Sequence, residues 1–298
     1  MKRQAILGLR GSFGGMFEKH IEDDPKNWKL VTADTSTSAG LSRLIAKYPD
    51  NFVECGIAEQ AAMGIATGLA LDNIDTYVGS FAPFIVGRAW EQIRLAAYMS
   101  ANLTVFGFGA GLGLSYLGFT HCSLEDVSLI SCMPNTTIFE PSTPTDIYNA
   151  LMQCGDIPGL KYIRITGEGA VHKTLYTKGE FFGPNIRFYP QDGENLVLCC
   201  GHMASRIIRE IEVDGLKVDL ITVNKLDEKS IRDNISSLLV KYKKVHCVHE
   251  SYENLLYKIC SKILPQDKLT AVNPKKIFCK PGNFDFVAQK TNFNFSVL

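Results

Sequence analysis

The sequence predicts an α/β protein made of two doubly wound units, each a mainly parallel sheet covered by helices on both faces. Three observations carry this. Short β-rich runs alternate strictly with longer helical ones as far as Ile165, the pattern of parallel strands joined by crossover helices. Between Gly167 and about Glu194 the alternation gives way to a stretch rich in glycine, lysine and aromatics, after which it resumes. The length, 298 residues, is enough for two cores of ordinary size. The break places one unit at 1–180 and the other at 190–298.

Taken in order, Trp28 to Ala33 is β-rich and reads as a strand, and Ala39 to Tyr48 has helical spacing. Phe52 to Glu54 is a short strand before a helix from Ile57 to Asp72. The same alternation gives strand Thr76 to Phe81, helix Ala89 to Ser100, strand Leu103 to Phe108 and helix Leu124 to Cys132. Strand Thr137 to Glu140, helix Asp146 to Cys154 and strand Lys161 to Ile165 complete the first unit. The interruption reads as a linker with one hairpin. Beyond it come strand Leu196 to Cys200, helix Ala204 to Glu212, strand Val218 to Val223 and helix Lys229 to Lys241. Strand Val245 to His249 and helix Glu253 to Ile263 follow. The tail after Ile277 fits no single period, and its phenylalanines favour packing over binding. In sheets of this kind ligands collect at the carboxyl ends of the strands.

Lys plus Arg and Asp plus Glu both number 31, so the chain has no basic footprint for nucleic acid. Nine cysteines include no Cys-x-x-Cys pair, which points to free thiols in a reducing compartment. The opening MKRQAILGLRGSFGG has too short an apolar run for a signal peptide, and no segment approaches membrane-spanning length. The expectation is a soluble, cytoplasmic protein.

The most informative stretch is Cys55-Gly56-Ile57-Ala58-Glu59-Gln60, a strand end opening a helix of small residues. The turns after Glu59 run AAMGIATGLA and show no charged face, so the helix reads as buried. A carboxylate in its first turn gains roughly 0.3 to 1 kcal/mol from the helix dipole, too little to justify burying it without a task. Glu59 is therefore the leading functional carboxylate. Gly107 to Gly113 is glycine-rich without fitting G-x-G-x-x-G, because Leu112 stands at the third glycine. It reads as a flexible substrate loop.

Residues 51–84, NFVECGIAEQAAMGIATGLALDNIDTYVGSFAPF, followed by Thr120-His121, resemble the pyrimidine-binding domain of the transketolase family of thiamine diphosphate enzymes. The resemblance spans nearly the whole chain and corresponds to the C-terminal half of such an enzyme. It implies that Glu59 bonds to ring nitrogen N1′ of the cofactor and shifts its aminopyrimidine toward the imino tautomer, a protein carboxyl activating a cofactor base. It implies that Phe84, with Phe81 beside it, stacks on the pyrimidine. His121 would contact the reacting carbonyl or sugar hydroxyls, where an imidazole can donate or accept a proton. Asp34 is placed near the cofactor, though a strand-end Asp fits equally well as the cap of the next helix. Arg164 and Ser38 would contact substrate, the arginine gripping a phosphate with its rigid fork.

The family holds the diphosphate and Mg²⁺ through Gly-Asp-Gly and a later Asn. No Gly-Asp-Gly occurs here. The resemblance thus implies a separate diphosphate-binding N-terminal subunit carrying the metal ligands, in a heterotetramer. Leu117 and Gly109 stand where the family has polar residues on the sugar and its phosphate. This suggests extra room beside Gly109 for a modified sugar. His249 to Glu253 lacks the glycine-rich turn usual there. The expected activity is transfer of a two-carbon ketol unit between sugar phosphates. The alternatives are the β subunit of a 2-oxoacid dehydrogenase, a deoxyxylulose-phosphate-synthase-like subunit, or a non-catalytic assembly subunit.

Overall fold

The computed structural model describes residues 4–167, 169–295 and 298. Helix α1 (Gln4–Asp23) precedes the first sheet, which holds β1 (Trp28–Thr32), β2 (Phe52–Glu54), β3 (Asp75–Phe81), β4 (Leu103–Ala110), β5 (Thr136–Phe139) and β6 (Leu160–Thr166). Its order is β2-β1-β3-β4-β6-β5 and every pairing is parallel. The helices between them are α2 (Ser42–Lys47), α3 (Glu59–Leu71), α4 (Trp90–Tyr98), α5 (Asp126–Ser131) and α6 (Pro144–Cys154).

A short helix α7 (Thr174–Thr177) leads to the second sheet. Its strands are β7 (Glu180–Phe181), β8 (Ile186–Tyr189), β9 (Asn195–Cys199), β10 (Val218–Val223), β11 (Val245–Val248) and β12 (Leu269–Val272), in the order β12-β11-β9-β10-β8-β7. The helices are α8 (Met203–Asp214), α9 (Glu228–Leu239), α10 (Leu255–Cys260) and α11 (Phe284–Lys290). The expected hairpin exists as β7 and β8, but it is no mere linker. β8 pairs antiparallel with β10 and carries the sheet to its edge. The tail resolves into α11, and the buried Phe293 packs on Phe284 and Phe295.

The glycines of α1 hide it from a propensity reading, yet it is the cover of the first sheet. Phe13 and Phe17 are fully buried, and Phe13 lies edge-on to Phe106 and Phe108 of β4. Gly14 is required because a Cβ there would come within 2.1 Å of the Gly40 carbonyl oxygen. On the other face, α3 buries Ala62, Met63, Ala66 and Ala70. Its outer side exposes Ala61, Gly64, Ile65, Gly68 and Leu71. The absent charged face does not make α3 a fully buried helix: half of it is bare small and apolar surface.

The two sheets meet on a buried ionic seam. Arg164 of β6 is fully buried. It donates from Nε to Asp126 (2.8 Å), from Nη1 to Glu140 (3.0 Å) and from Nη2 to the carbonyls of Ser123 and Glu250. His249 of the second unit approaches Glu140 at 3.1 Å. Glu250 accepts from the Leu112 amide at 2.7 Å.

Candidate active site

Glu59 is the first residue of α3, set there by the turn that leaves β2 at Gly56, whose φ is +63°. It is 2% exposed. Oε2 accepts a bond of 2.5 Å from Nη1 of Arg88, which ends a π-helical turn, Pro83–Arg88, following β3. Such wide turns recur at functional sites. This one brings Phe84 and Arg88 to the mouth of the same pocket, with the guanidinium carbon 5.2 Å from the centre of the Phe84 ring.

His121 closes the aromatic wall. Its ring centre is 5.3 Å from that of Phe84 and 6.2 Å from that of Phe81, both edge-on. Nδ1 lies 3.0 Å from the Thr120 hydroxyl, and the backbone amide donates to the Gly118 carbonyl. Glu59, Phe81, Phe84 and His121 therefore surround one half-open space at the carboxyl ends of β3 and β4. A planar heteroaromatic ring fits this donor set, with an aromatic face to stack on and a buried carboxyl for a ring nitrogen.

Arg10, which the sequence reading did not single out, lies over Phe81 at 5.8 Å. It shares a cleft with Ser38 and the backbone of Gly8, Gly11, Gly167 and Gly169. Ser38 is exposed and donates to the Thr35 carbonyl. Asp34 sits at the carboxyl end of β1 with φ +52°. It does not cap the following helix, since α2 begins only at Ser42 behind Leu41. Its amide donates to Glu54, which also accepts from Thr32, Ser36 and the Gly56 amide. Partial burial works against the charge on Glu54, but these four donors outweigh it and hold its carboxyl below the usual range. Glu54 thereby ties the ends of β1 and β2 beneath the start of α3.

Two sequence expectations are corrected. Arg164 does not reach substrate, because all three of its guanidinium nitrogens are committed to the seam described above. Nor is there extra room beside Gly109. A Cβ on Gly109, at φ +62°, would lie 2.4 Å from Leu114, so a leucine has filled the space. The glycine run is likewise no flexible loop: Gly107 and Gly109 lie within buried β4 and Gly111 packs on Glu250. Leu117 is about half-exposed. Among the described residues a grouping of metal-competent side chains, Glu140, Cys200 and His249, is fully buried and bonded to Arg164. It offers no open position for a substrate-bridging ion. The described cysteines are all free thiols, and no helix of the described residues is long and apolar enough to cross a membrane.

The family model for the transketolase pyrimidine-binding domain matches residues 8–160. An apulose-4-phosphate transketolase subunit from Phocaeicola vulgatus is 30% identical over 236 residues, covering 76% of this chain and 75% of that protein. The corresponding subunit from Actinobacillus succinogenes is 29% identical over 199 residues, 65% of this chain and 63% of that one, so the chain spans just under two thirds of that relative. Among solved structures, a split-gene transketolase described as an inactive β4 tetramer superposes with a TM-score of 0.72 at 22% identity, covering 97% of this chain and 94% of the other. The matched domain takes in α3, the π-turn and the His121 loop, and on that footing the chain belongs to the transketolase family as a bearer of its pyrimidine-binding domain.

Proposed function

We propose that this chain is the pyrimidine-binding subunit of a two-polypeptide thiamine diphosphate transketolase, moving a two-carbon ketol unit between phosphorylated sugars. The observation that carries the reading is Glu59, a carboxyl 2% exposed at the mouth of an aromatic pocket. A buried charge is costly unless it has a partner or a task. Thiamine diphosphate, when bound, supplies the carbon nucleophile and the base that generates it. The chain's own residues do the rest. Phe84 and Phe81 hold the pyrimidine face, Glu59 holds a proton at ring nitrogen N1′, and His121 donates to or accepts from the reacting oxygen of the sugar. Asp34 lies at the rim, on the Glu54 bracket. The cleft of Arg10 and Ser38 is the anion contact in place of Arg164, a guanidinium suiting phosphate oxygens.

The diphosphate and Mg²⁺ belong to a partner chain, since Gly-Asp-Gly is missing here. The bare outer face of α3 supports such a partner. With Ile57, Leu95, Tyr98 and Met99 it forms exposed apolar surface beside the pocket, of the kind that marks an interface. The relatives named for apulose 4-phosphate favour a phosphorylated sugar as substrate. Titrating thiamine diphosphate and Mg²⁺ into this chain, alone and mixed with a diphosphate-domain subunit, tests the reading. The mixture should bind cofactor stoichiometrically and turn over, while the chain alone binds it poorly. Tight binding and turnover by the chain alone overturns the two-chain arrangement, and decarboxylation of a 2-oxoacid by the mixture overturns the transketolase reaction.

A further inference from the structure

Arg88 is placed like a ligand. Its Nη1 donates to Glu59 Oε2 at 2.5 Å and its guanidinium carbon lies 5.2 Å from the Phe84 ring centre. A planar cation that lies over an aromatic face and bonds edge-on to a carboxylate makes the same two contacts as an aminopyrimidine resting on Phe84 with N1′ against Glu59. The two cannot be there together. The partners also differ in freedom: the Glu59 side chain is 2% exposed and fixed at the start of α3, whereas that of Arg88 is 48% exposed and has solvent to move into. While Arg88 donates to it, Oε2 is an acceptor and cannot offer a proton to a ring nitrogen.

We propose that Arg88 is a displaceable occupant of the ring site, holding Glu59 and Phe84 in the cofactor-free chain and swinging out when the aminopyrimidine enters. This rests on the reading of the pocket as a thiamine diphosphate site. In the empty pocket Arg88 neutralises a carboxylate that would otherwise be buried without a partner. Its departure is what frees the carboxyl for the ring. Arg88 is thus a positioning residue, acting through Glu59 and opposing cofactor entry.

The test is Arg88→Met, which keeps length and apolar stem but removes the charge. In the complex with the diphosphate-domain subunit, calorimetric titration of thiamine diphosphate with Mg²⁺ should show binding about 3- to 10-fold tighter than wild type, the scale of a partly exposed ion pair bonded to a buried charge. The cofactor-free variant should melt below wild type, and saturating cofactor should close that gap. In a Glu59→Gln background, adding Arg88→Met should leave melting unchanged, because no buried charge is left to neutralise. A residue that only supported the fold would weaken cofactor binding when removed, so unchanged or weaker binding overturns the proposal. Should Arg88→Met fail to fold, Arg88→Lys, which keeps the charge and loses the planar contact, should still bind cofactor more tightly than wild type, and weaker binding overturns the proposal again. A wild-type complex that binds no thiamine diphosphate removes the functional reading and this proposal with it. Binding by wild type with weaker binding by Arg88→Met removes the proposal alone.

Discussion

At the scale of the residue, the balance is between what it costs to bury Glu59 and what repays it. An amide at this position carries no proton to offer a ring nitrogen and needs no cation beside it. Glu59→Gln should therefore lower kcat of the assembled enzyme by about 10² to 10⁴, the range for removing a positioned proton-transfer group. The free chain should melt no lower than wild type. Near-normal turnover with cofactor saturating would make Glu59 structural. Glu59, Phe84 and His121 could be found from sequence because each lies in a short local pattern. Arg88 and Arg10 could not, since their contacts join residues far apart in the chain and depend on a π-turn and a glycine kink in α1. Gly109 misled for a related reason. A missing side chain shows as room in the sequence, but whether a neighbour has claimed the room is a tertiary fact. Gly109→Ala should cost about 1 to 3 kcal/mol by overpacking against Leu114, added to by its left-handed φ. Chemical denaturation measures this, and an unchanged midpoint would mean Leu114 moves aside freely.

At the scale of the element, strict alternation of β and α runs made both sheets legible, because parallel strands buried on two faces leave near-continuous apolar runs. β4 shows this, buried throughout its eight residues. The elements that escaped are those whose local signal opposes their structure. Helix α1 holds Gly8, Gly11, Gly14 and Gly15, each a cost of about 0.8 to 1 kcal/mol relative to Ala inside a helix. Packing outweighs that cost, through Phe13, Met16, Phe17 and Ile21 pressed on the first sheet. Phe13→Ala should thus destabilise by about 3 to 5 kcal/mol, loosening α1 and with it the Arg10 end of the site. Equilibrium unfolding gives the first effect, and a raised KM for a sugar phosphate gives the second. A loss below about 1 kcal/mol would show that α1 merely rests on the sheet.

At the scale of the whole molecule, the seam between the sheets sets how the protein answers to pH. No sequence pattern marks it, because Arg164, Glu140, His249 and Glu250 come from separate segments and meet only in the folded chain. The two glutamates respond in opposite senses. Burial works against the charge on Glu140, but Arg164 and His249 outweigh it and hold its carboxyl down to about 2. Its contribution to stability is therefore present above the ordinary value of 4.5 and lost as pH falls toward 2. Glu250 is pushed up to about 7, first by burial and also by the nearby Glu140 charge, with Arg164 and the Leu112 amide opposing. The folded chain then keeps a proton on Glu250 that the unfolded chain gives up near 4.5. Its contribution is complete below that value and is lost as pH rises through about 7. Glu250→Gln holds the neutral form at every pH. It should flatten the fall in stability between about pH 4.5 and 7 and leave the acid limb, which belongs to Glu140, in place. The gain above pH 7 should be on the order of 3 kcal/mol or less, as a shift of this size implies. Denaturant midpoints measured from pH 4 to 8 for both proteins decide it, and curves running parallel through that window would show that Glu250 is ionised in the folded chain and paired across the seam like Glu140.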